Sequence, residues 1–351
     1  MSNRREFLKK AGAVTAGAAA VATTLAAPAV KAQNKTIKWR MQTYAGGPLA
    51  DHVVKPAIDA FNKAANGEMV IELFVGDQLV PTGELFQAMQ NGTIDAVQSD
   101  DDSMNSPTAV RQFGGYFPFA SRYSLDVPVL FNQYGLNEIW DAEYSKVGVK
   151  HISAGSWDPC HFNTKDPINS LADLKGKRVF TFPTAGKFLE RFGVVPVTLP
   201  WEDIEVAVQT GELDGIAWSG ITEDYTVGWA DVTNYFLTNN ISGAWIGSFF
   251  ANQDRYNALP EHLKTLLNLA MDSSHYYRQH WYWGGEAKLR VHGTKLKLTS
   301  IPDNEWAQVE SEARKFWEEI AATGPVARKV VDIFKQYNAD MDKAGRPYRY
   351  S

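Results

Sequence analysis

The stretch 203–218, DIEVAVQTGELDGIAW, most constrains the fold of this chain, because most of it occurs twice. The earlier copy, 84–97, aligns without a gap, with Ala88 on Ala207, Gln90 on Gln209, Gly92 on Gly211 and Asp95 on Asp214. In the later copy Ile204, Ala207 and Val208 share one helical face, Gly211 suits a helix C-terminal cap, and 213–218 reads as a buried strand. A chain that builds helix, glycine turn and strand twice is expected to form two similar α/β lobes. Such proteins gather ligand contacts at strand ends. The unit is also a common α/β packing element, so the rest of the sequence decides what the repeat serves.

The first residues read as an address rather than as fold. Arg4-Arg5 precedes Phe7-Leu8-Lys9, an alanine-rich run follows over 11–27, and Val30-Lys31-Ala32 resembles a cleavage site. A Tat-like export signal is expected over 1–32, and with it a periplasmic location. An apolar run this short and rich in Ala and Gly is a poor membrane anchor. The single cysteine, Cys160, has no partner for an internal disulfide and no metal-ligand spacing around it. A net charge of −5 with scattered basic residues argues against a nucleic-acid partner.

Along the remaining chain, 36–42 reads as the opening strand, 50–66 as an amphipathic helix and 69–74 as the next strand. After the first repeat copy comes Ser99-Asp100-Asp101-Asp102-Ser103, a solvated acidic turn by default, or a strand end with an acid facing a ligand. Further strands are expected over 147–153, 194–199, 231–237 and 244–252, with a crossover between lobes in the last pair. Long helical segments are expected over 259–280 and 303–337. These patterns place lobe I at 33–158 plus about 245–300, lobe II at about 159–244, and a C-terminal helical segment at about 301–351.

Several motifs then occur together: Gly76-Asp77-Gln78-Leu79, the two Gln-x-Gly-x-[Ile/Leu]-Asp-[Ala/Gly] repeats, Asn163-Thr164-Lys165-Asp166-Pro167-Ile168, and Leu171-Ala172-Asp173-Leu174-Lys175-Gly176. With them the chain resembles the extracytoplasmic solute-binding subunits of TRAP transporters, the DctP-type family. The stretch 185–196 looks nearest to the branch that includes 2-oxo-acid binders. The resemblance implies an α/β, two-lobed periplasmic solute-binding fold with a cleft between lobes. It also implies a small-molecule solute, TRAP membrane permease subunits as partners, and no cofactor. A homodimer through the C-terminal helix, as in that branch, stands beside a monomer.

Two departures from the family pattern bear on the solute. The arginine that grips a carboxylate in relatives aligns with Phe180, and the ligand-binding asparagine aligns with Trp218. Arg178 lies two residues earlier and becomes an alternative carboxylate contact only if the register slips. Tyr44, Trp157, Phe182, Trp245 and Phe249 are candidate wall residues, with carboxylates at Asp101, Asp158 and Glu223. A buried acid needs cationic partners, whereas an ammonium needs aromatic faces and carboxylates. The expected solute is a small amine or amino alcohol of ethanolamine or choline size. An organic acid, such as a 2-oxo acid or an aromatic carboxylate, is the alternative. Large aromatics also fill interiors, so each of these rings has a plain packing role as its competing reading.

An enzyme is the third reading, and no catalytic residue is assigned. The sequence lacks a helix-spaced metal-ligand pair with a third ligand and lacks a Gly-x-Ser-x-Gly elbow. Cys160 and His161 are adjacent, so on an extended chain they point to opposite faces.

Overall fold

The computed structural model describes residues 35–349, so the export signal expected over 1–32 and the last two residues lie outside the described residues. Two sheets organise the chain. The first contains β1 (Ile37–Thr43), β2 (Met69–Phe74), β3 (Ala96–Ser99), β4 (Val149–Ser156) and β10 (Ile246–Asn252), in the order β2-β1-β3-β10-β4. The second contains β5 (Cys160–Thr164), β6 (Arg178–Phe180), β7 (Val195–Val197), β8 (Gly215–Ala217), β9 (Tyr235–Ser242) and β11 (Lys297–Thr299), in the order β11-β9-β5-β8-β6-β7. In the first sheet β2, β1 and β3 run parallel while β10 runs against both β3 and β4. The second repeats this, with β7, β6 and β8 parallel and β5 running against β8 and β9.

The duplicated stretch is the seed of this symmetry. Each copy gives a short helix, Leu85–Gln90 or Ile204–Thr210, then a glycine and a strand, β3 or β8. Gly92 and Gly211 both sit at positive φ, 79° and 81°, which a side chain would oppose. Asp95 and Asp214 then make matching bonds: the Arg40 N–H donates to Asp95 Oδ2 at 2.7 Å and the Arg178 N–H to Asp214 Oδ2 at 2.8 Å. The repeated aspartates therefore tie each sheet together and do not face the cleft.

Chain paths cross between the sheets twice, from β4 to β5 and from β9 to β10. The two crossings pair with each other: the Trp157 N–H donates to the Trp245 carbonyl at 2.9 Å and the Trp245 N–H to the Asp158 carbonyl at 2.7 Å. A third connection is the helix Glu261–His292, 32 residues and ~48 Å long. It packs on β4 and the helix Lys55–Ala64 near one end and on the helix Ile221–Val227 near the other. The helix outruns the 259–280 expected, and it hands the chain to the second sheet, where β11 pairs in parallel with β9. Residues 297–299 therefore leave the lobe that the sequence assigned to them.

Two other expectations change. Residues 50–66 form two helices, Gly47–Val53 and Lys55–Ala64, because the Pro56 ring cannot fit within a continuous turn. The acidic run is not a solvated turn: Asp100, Asp101 and Asp102 are all buried. The C-terminal helices, Asp303–Ala321 and Pro325–Ala344, fold back on the same chain. Trp317 donates to the Pro118 carbonyl at 2.7 Å, Tyr337 to Asp126 Oδ1 at 2.6 Å, and Glu305 accepts from the Leu171 N–H at 2.9 Å. Their apolar positions Val330, Val331 and Phe334 are buried in this way.

Candidate functional site

The paired crossings, together with the ends of β1, β6 and β8, close around one aromatic cluster. Trp218 follows β8 and is its hub: its ring lies 4.9 Å from Phe180 in a stack, 3.9 Å from Phe182 and 5.9 Å from Tyr44, again stacked. Tyr44, following β1, lies 4.8 Å from Trp245 and 5.8 Å from Trp157, and those two indoles meet at 4.9 Å. The repeat explains the placement. Aligning Arg40 with Arg178 puts Tyr44 opposite Phe182, and aligning Asp95 with Asp214 brings Trp218 to the strand end that Ser99 occupies in the first copy.

Carboxylates line the same cluster. Asp158 sits on the crossing from β4, 1% exposed, and its Oδ2 accepts from the Gly220 N–H at 3.0 Å. Glu223, in the first turn of the helix Ile221–Val227 and fully buried, accepts at Oε2 from the Tyr282 hydroxyl at 2.8 Å. The other oxygens, Asp158 Oδ1 and Glu223 Oε1, have no hydrogen-bond partner of ordinary geometry within the chain, although Trp218 is near enough to hold the Glu223 carboxyl down. The Tyr116 hydroxyl has none of ordinary geometry either, although it is near enough to hold the Asp158 carboxyl down. The indole N–H groups of Trp157 and Trp245 are unpartnered as well, and because buried polar groups are almost always paired, five such atoms in one cluster point to a polar solute.

The electrostatics give the sign of that solute. Burial, and then Glu223, pushes the Asp158 carboxyl well above the usual range, and burial pushes Glu223 up to about 8. Burial also raises Asp224 to about 8, and burial with Asp102 raises Asp100 to about 7. Tyr44 is raised as well, by burial, Glu223, Asp158 and Asp100 in that order. The buried cation on this side is Arg278, lowered by burial to about 9. Its guanidinium lies 4.1 Å over Trp157 and donates to the Val53 carbonyl at 2.7 Å, to Ser274 and to His275 Nδ1. The cluster therefore holds more acid than base, and its basic side chain is engaged through both terminal nitrogens, with Nε left unpartnered.

Three expected site residues stand elsewhere. Asp101 Oδ1 accepts from Trp140 Nε1 at 3.0 Å and from the Tyr144 hydroxyl at 2.6 Å, so it faces the interior of its own lobe. Alternation along the strand end brings its neighbour Asp100 toward Tyr44 instead. Phe249 backs the cluster: Arg278 lies 5.7 Å over its ring, between it and Trp157. Arg178 is a surface residue, its side chain 44% exposed and bonded to Asp214 and to the Gly211 carbonyl. Arg40, donating to the Thr93 carbonyl, is its counterpart in the first lobe. The register does not slip, and Phe180 takes the cleft position.

Sequence reasoning missed Tyr116, Asp100, Tyr282, Arg278 and Trp201. Arg278, Tyr282 and Glu286 recur every four residues along the long helix, a polar inward stripe that periodicity alone could have flagged. Glu286 Oε1 accepts from the Thr222 N–H at 3.0 Å and so anchors the helix that carries Glu223. Trp201, by contrast, follows β7 and reaches across the cleft to the backbone of Gly46, where an added Cβ would stand 2.3 Å from its Nε1. Outside the cluster opens a cleft of about 510 Å³ lined by Tyr44, Asp77, Phe180, Phe182, Trp201 and Trp218. Beside it Asp102 Oδ2, from the first lobe, accepts from the Thr184 N–H of the second at 2.8 Å. The lobes are thus closed on each other.

The Cys160 and His161 side chains are committed to structure. Burial raises the thiol well above its usual range, while His161 Nδ1 meets the Leu237 carbonyl at 2.9 Å and Arg290 donates to its Nε2 at 3.0 Å. Among the described residues no group of three or more His, Cys, Asp or Glu is placed to hold a metal ion.

Comparison with known proteins agrees with this architecture. A crystal structure of a TRAP periplasmic solute-binding protein from Chromohalobacter salexigens, with bound (S)-(+)-2-amino-1-propanol, is 76% identical, covers 90% of this chain and 99% of its own, and superposes with a TM-score of 0.89. A monocarboxylate 2-oxoacid-binding periplasmic protein of Nostoc is 23% identical, across 95% of this chain and 93% of its own length. A Bordetella bronchiseptica TRAP solute-binding protein with calcium and picolinate is 21% identical, with a TM-score of 0.79 over 89% of this chain and 95% of its own. The family model for bacterial extracellular solute-binding protein, family 7, matches residues 45–323. The chain belongs to that family, the DctP-type periplasmic solute receptors of TRAP transporters.

Proposed function

We propose that the solute of this TRAP receptor is a small primary amino alcohol, bound as its ammonium cation. The observation that carries this reading is the pair of unpartnered oxygens, Asp158 Oδ1 and Glu223 Oε1, buried beside aromatic faces. An ammonium N–H donated to each gives charge-assisted bonds, and the faces of Trp218 and Tyr44 add roughly 0.5–2 kcal/mol each by cation–π attraction. Tyr116, close to Asp158, keeps hydrogen-bonding capacity for a solute hydroxyl, as do the indole N–H groups of Trp157 and Trp245. The amino alcohol bound by the 76% identical relative supports the same class. An organic acid would meet these carboxylates with Arg178 on the surface and both terminal nitrogens of Arg278 already engaged.

Capture works by population shift. Asp158 lies on the crossing between lobes, Glu223 on the second lobe and Tyr116 beside the first sheet. A solute that satisfies all three favours the closed form over the open one by the difference in contacts. Titration calorimetry with (S)-2-amino-1-propanol, ethanolamine, choline, pyruvate and picolinate tests the reading. Heat from the primary amines is expected, with choline weaker because it has no N–H to donate. Binding of pyruvate or picolinate with silent amines would overturn it.

A further inference from the structure

The three acids of the run 100–102 have separate tasks. Asp100 turns its side chain back under the run, where Oδ1 accepts from the Asp102 and Ser103 N–H groups at 2.9 Å each. Asp101 is held inside the first lobe by Trp140 and Tyr144. Asp102 reaches the other lobe. Its Oδ1 accepts from Arg111 Nε at 3.1 Å, and its Oδ2 accepts from the Thr184 N–H at 2.8 Å. Arg111 is fixed in turn by donating to Asn105 Oδ1 at 2.7 Å, and the Asn105 amide donates to the Gly83 carbonyl at 3.0 Å. These partners of Asp102, Thr184 apart, belong to the first lobe.

The second lobe needs that acceptor. Thr184 stands in the first turn of the helix Pro183–Leu189, where backbone N–H groups have no partner within the helix. Phe182, just ahead of the helix, offers no side-chain acceptor. The Thr184 N–H therefore finds its acceptor across the cleft. The segment it anchors carries the aromatic wall, with the Phe182 ring 3.9 Å from Trp218. Asp102, Phe182, Pro183 and Trp218 border the same 510 Å³ cleft.

We propose that Asp102 is an interlobe latch, a positioning residue that holds Phe182 over Trp218 in the closed receptor and sets how long a captured solute stays. The role follows from capture by closure and not from the choice of solute. Asp102 is 3% exposed, and a buried carboxylate is costly unless its oxygens are taken up. On opening, water replaces Thr184 at Oδ2, so the bond is exchanged rather than lost and the latch stays reversible. Two donors approach the two oxygens. An asparagine offers one acceptor oxygen and would turn its NH2 group toward one of those donors.

Spin labels on Gln87→Cys and Val206→Cys, exposed equivalent positions in the two copies of the repeat, report the distance between lobes, since the native Cys160 is buried. In the solute-free protein, Asp102→Asn is expected to shift the distance distribution toward the open form. It should also speed release of 2-amino-1-propanol, or of pyruvate if that is the solute that gives heat, by about tenfold or more, with association changed less than about twofold. Asp102→Ala should do the same. The choice between amine and acid is read separately, from calorimetry of the unsubstituted protein. Unchanged distances and unchanged release in both variants overturn the proposal. A lowered melting temperature with neither of these affected also overturns it, and makes Asp102 a brace of its own loop alone.

Discussion

Asp158 and Glu223 each place one carboxylate oxygen in a bond within the chain and leave the other bare in a buried, aromatic setting. A hydrogen bond to a charged group contributes about 1.5–3 kcal/mol, so Asp158→Asn or Glu223→Gln should each weaken 2-amino-1-propanol binding by roughly 10- to 150-fold. Calorimetry reads this directly, and an unchanged affinity in both variants removes the two residues from the site. Trp201 makes a different contribution, because it closes over the backbone of Gly46. Trp201→Ala should speed solute release, and Gly46→Ala should do the same by pushing the indole aside. Stopped-flow tryptophan fluorescence measures both rates; opposite behaviour of the two variants would separate the indole from the closing motion.

At the scale of the element, the repeated helix, glycine turn and strand explains both what was legible and what was not. The glycine and aspartate spacing of the two copies was enough to place β3 and β8 in equivalent positions, since those residues answer to local backbone geometry. Trp218 and Phe180, which line the candidate cleft, were legible as candidates because each departs from a pattern at a strand end. Arg178 and Asp101 were ambiguous for the converse reason: one residue of register decides which face a strand residue takes. The pairing of Arg178 with Asp214 predicts that Arg178→Ala leaves affinity for the solute unchanged while lowering the melting temperature modestly. A large loss of binding in that variant would contradict the position of its side chain. Tyr282, on a helix more than sixty residues away in sequence from Trp218, carried no local sign of its hydrogen bond to Glu223.

At the scale of the whole molecule, closing the lobes buries carboxylates whose pKa values rise to about 7 at Asp100 and about 8 at Glu223 and Asp224. Groups with raised pKa values favour the closed, solute-free form while protonated, and that contribution is lost progressively as pH rises from the ordinary carboxylate range to about 8. An ammonium takes the place of those protons. Binding near neutral pH should therefore release protons, and affinity should rise with pH until the carboxylates are fully ionised or the amine loses its own proton. Calorimetry in two buffers of different ionisation enthalpy measures the release; an identical heat in both would count against a cation. The melting temperature of the solute-free protein should fall over the same pH range.

The division between chain and fold follows from the range of each interaction. The repeated unit, the two-lobed α/β architecture and the surplus of aromatics belong to short-range patterns, which a sequence carries in its spacing. The sign of the pocket belongs to burial and to neighbours distant in sequence. Only the tertiary structure brings Asp158, Tyr44, Tyr116 and the stretch that carries Trp218 and Glu223 from four separate segments into one buried cluster, where an unpaired carboxylate acquires a preference for a cation.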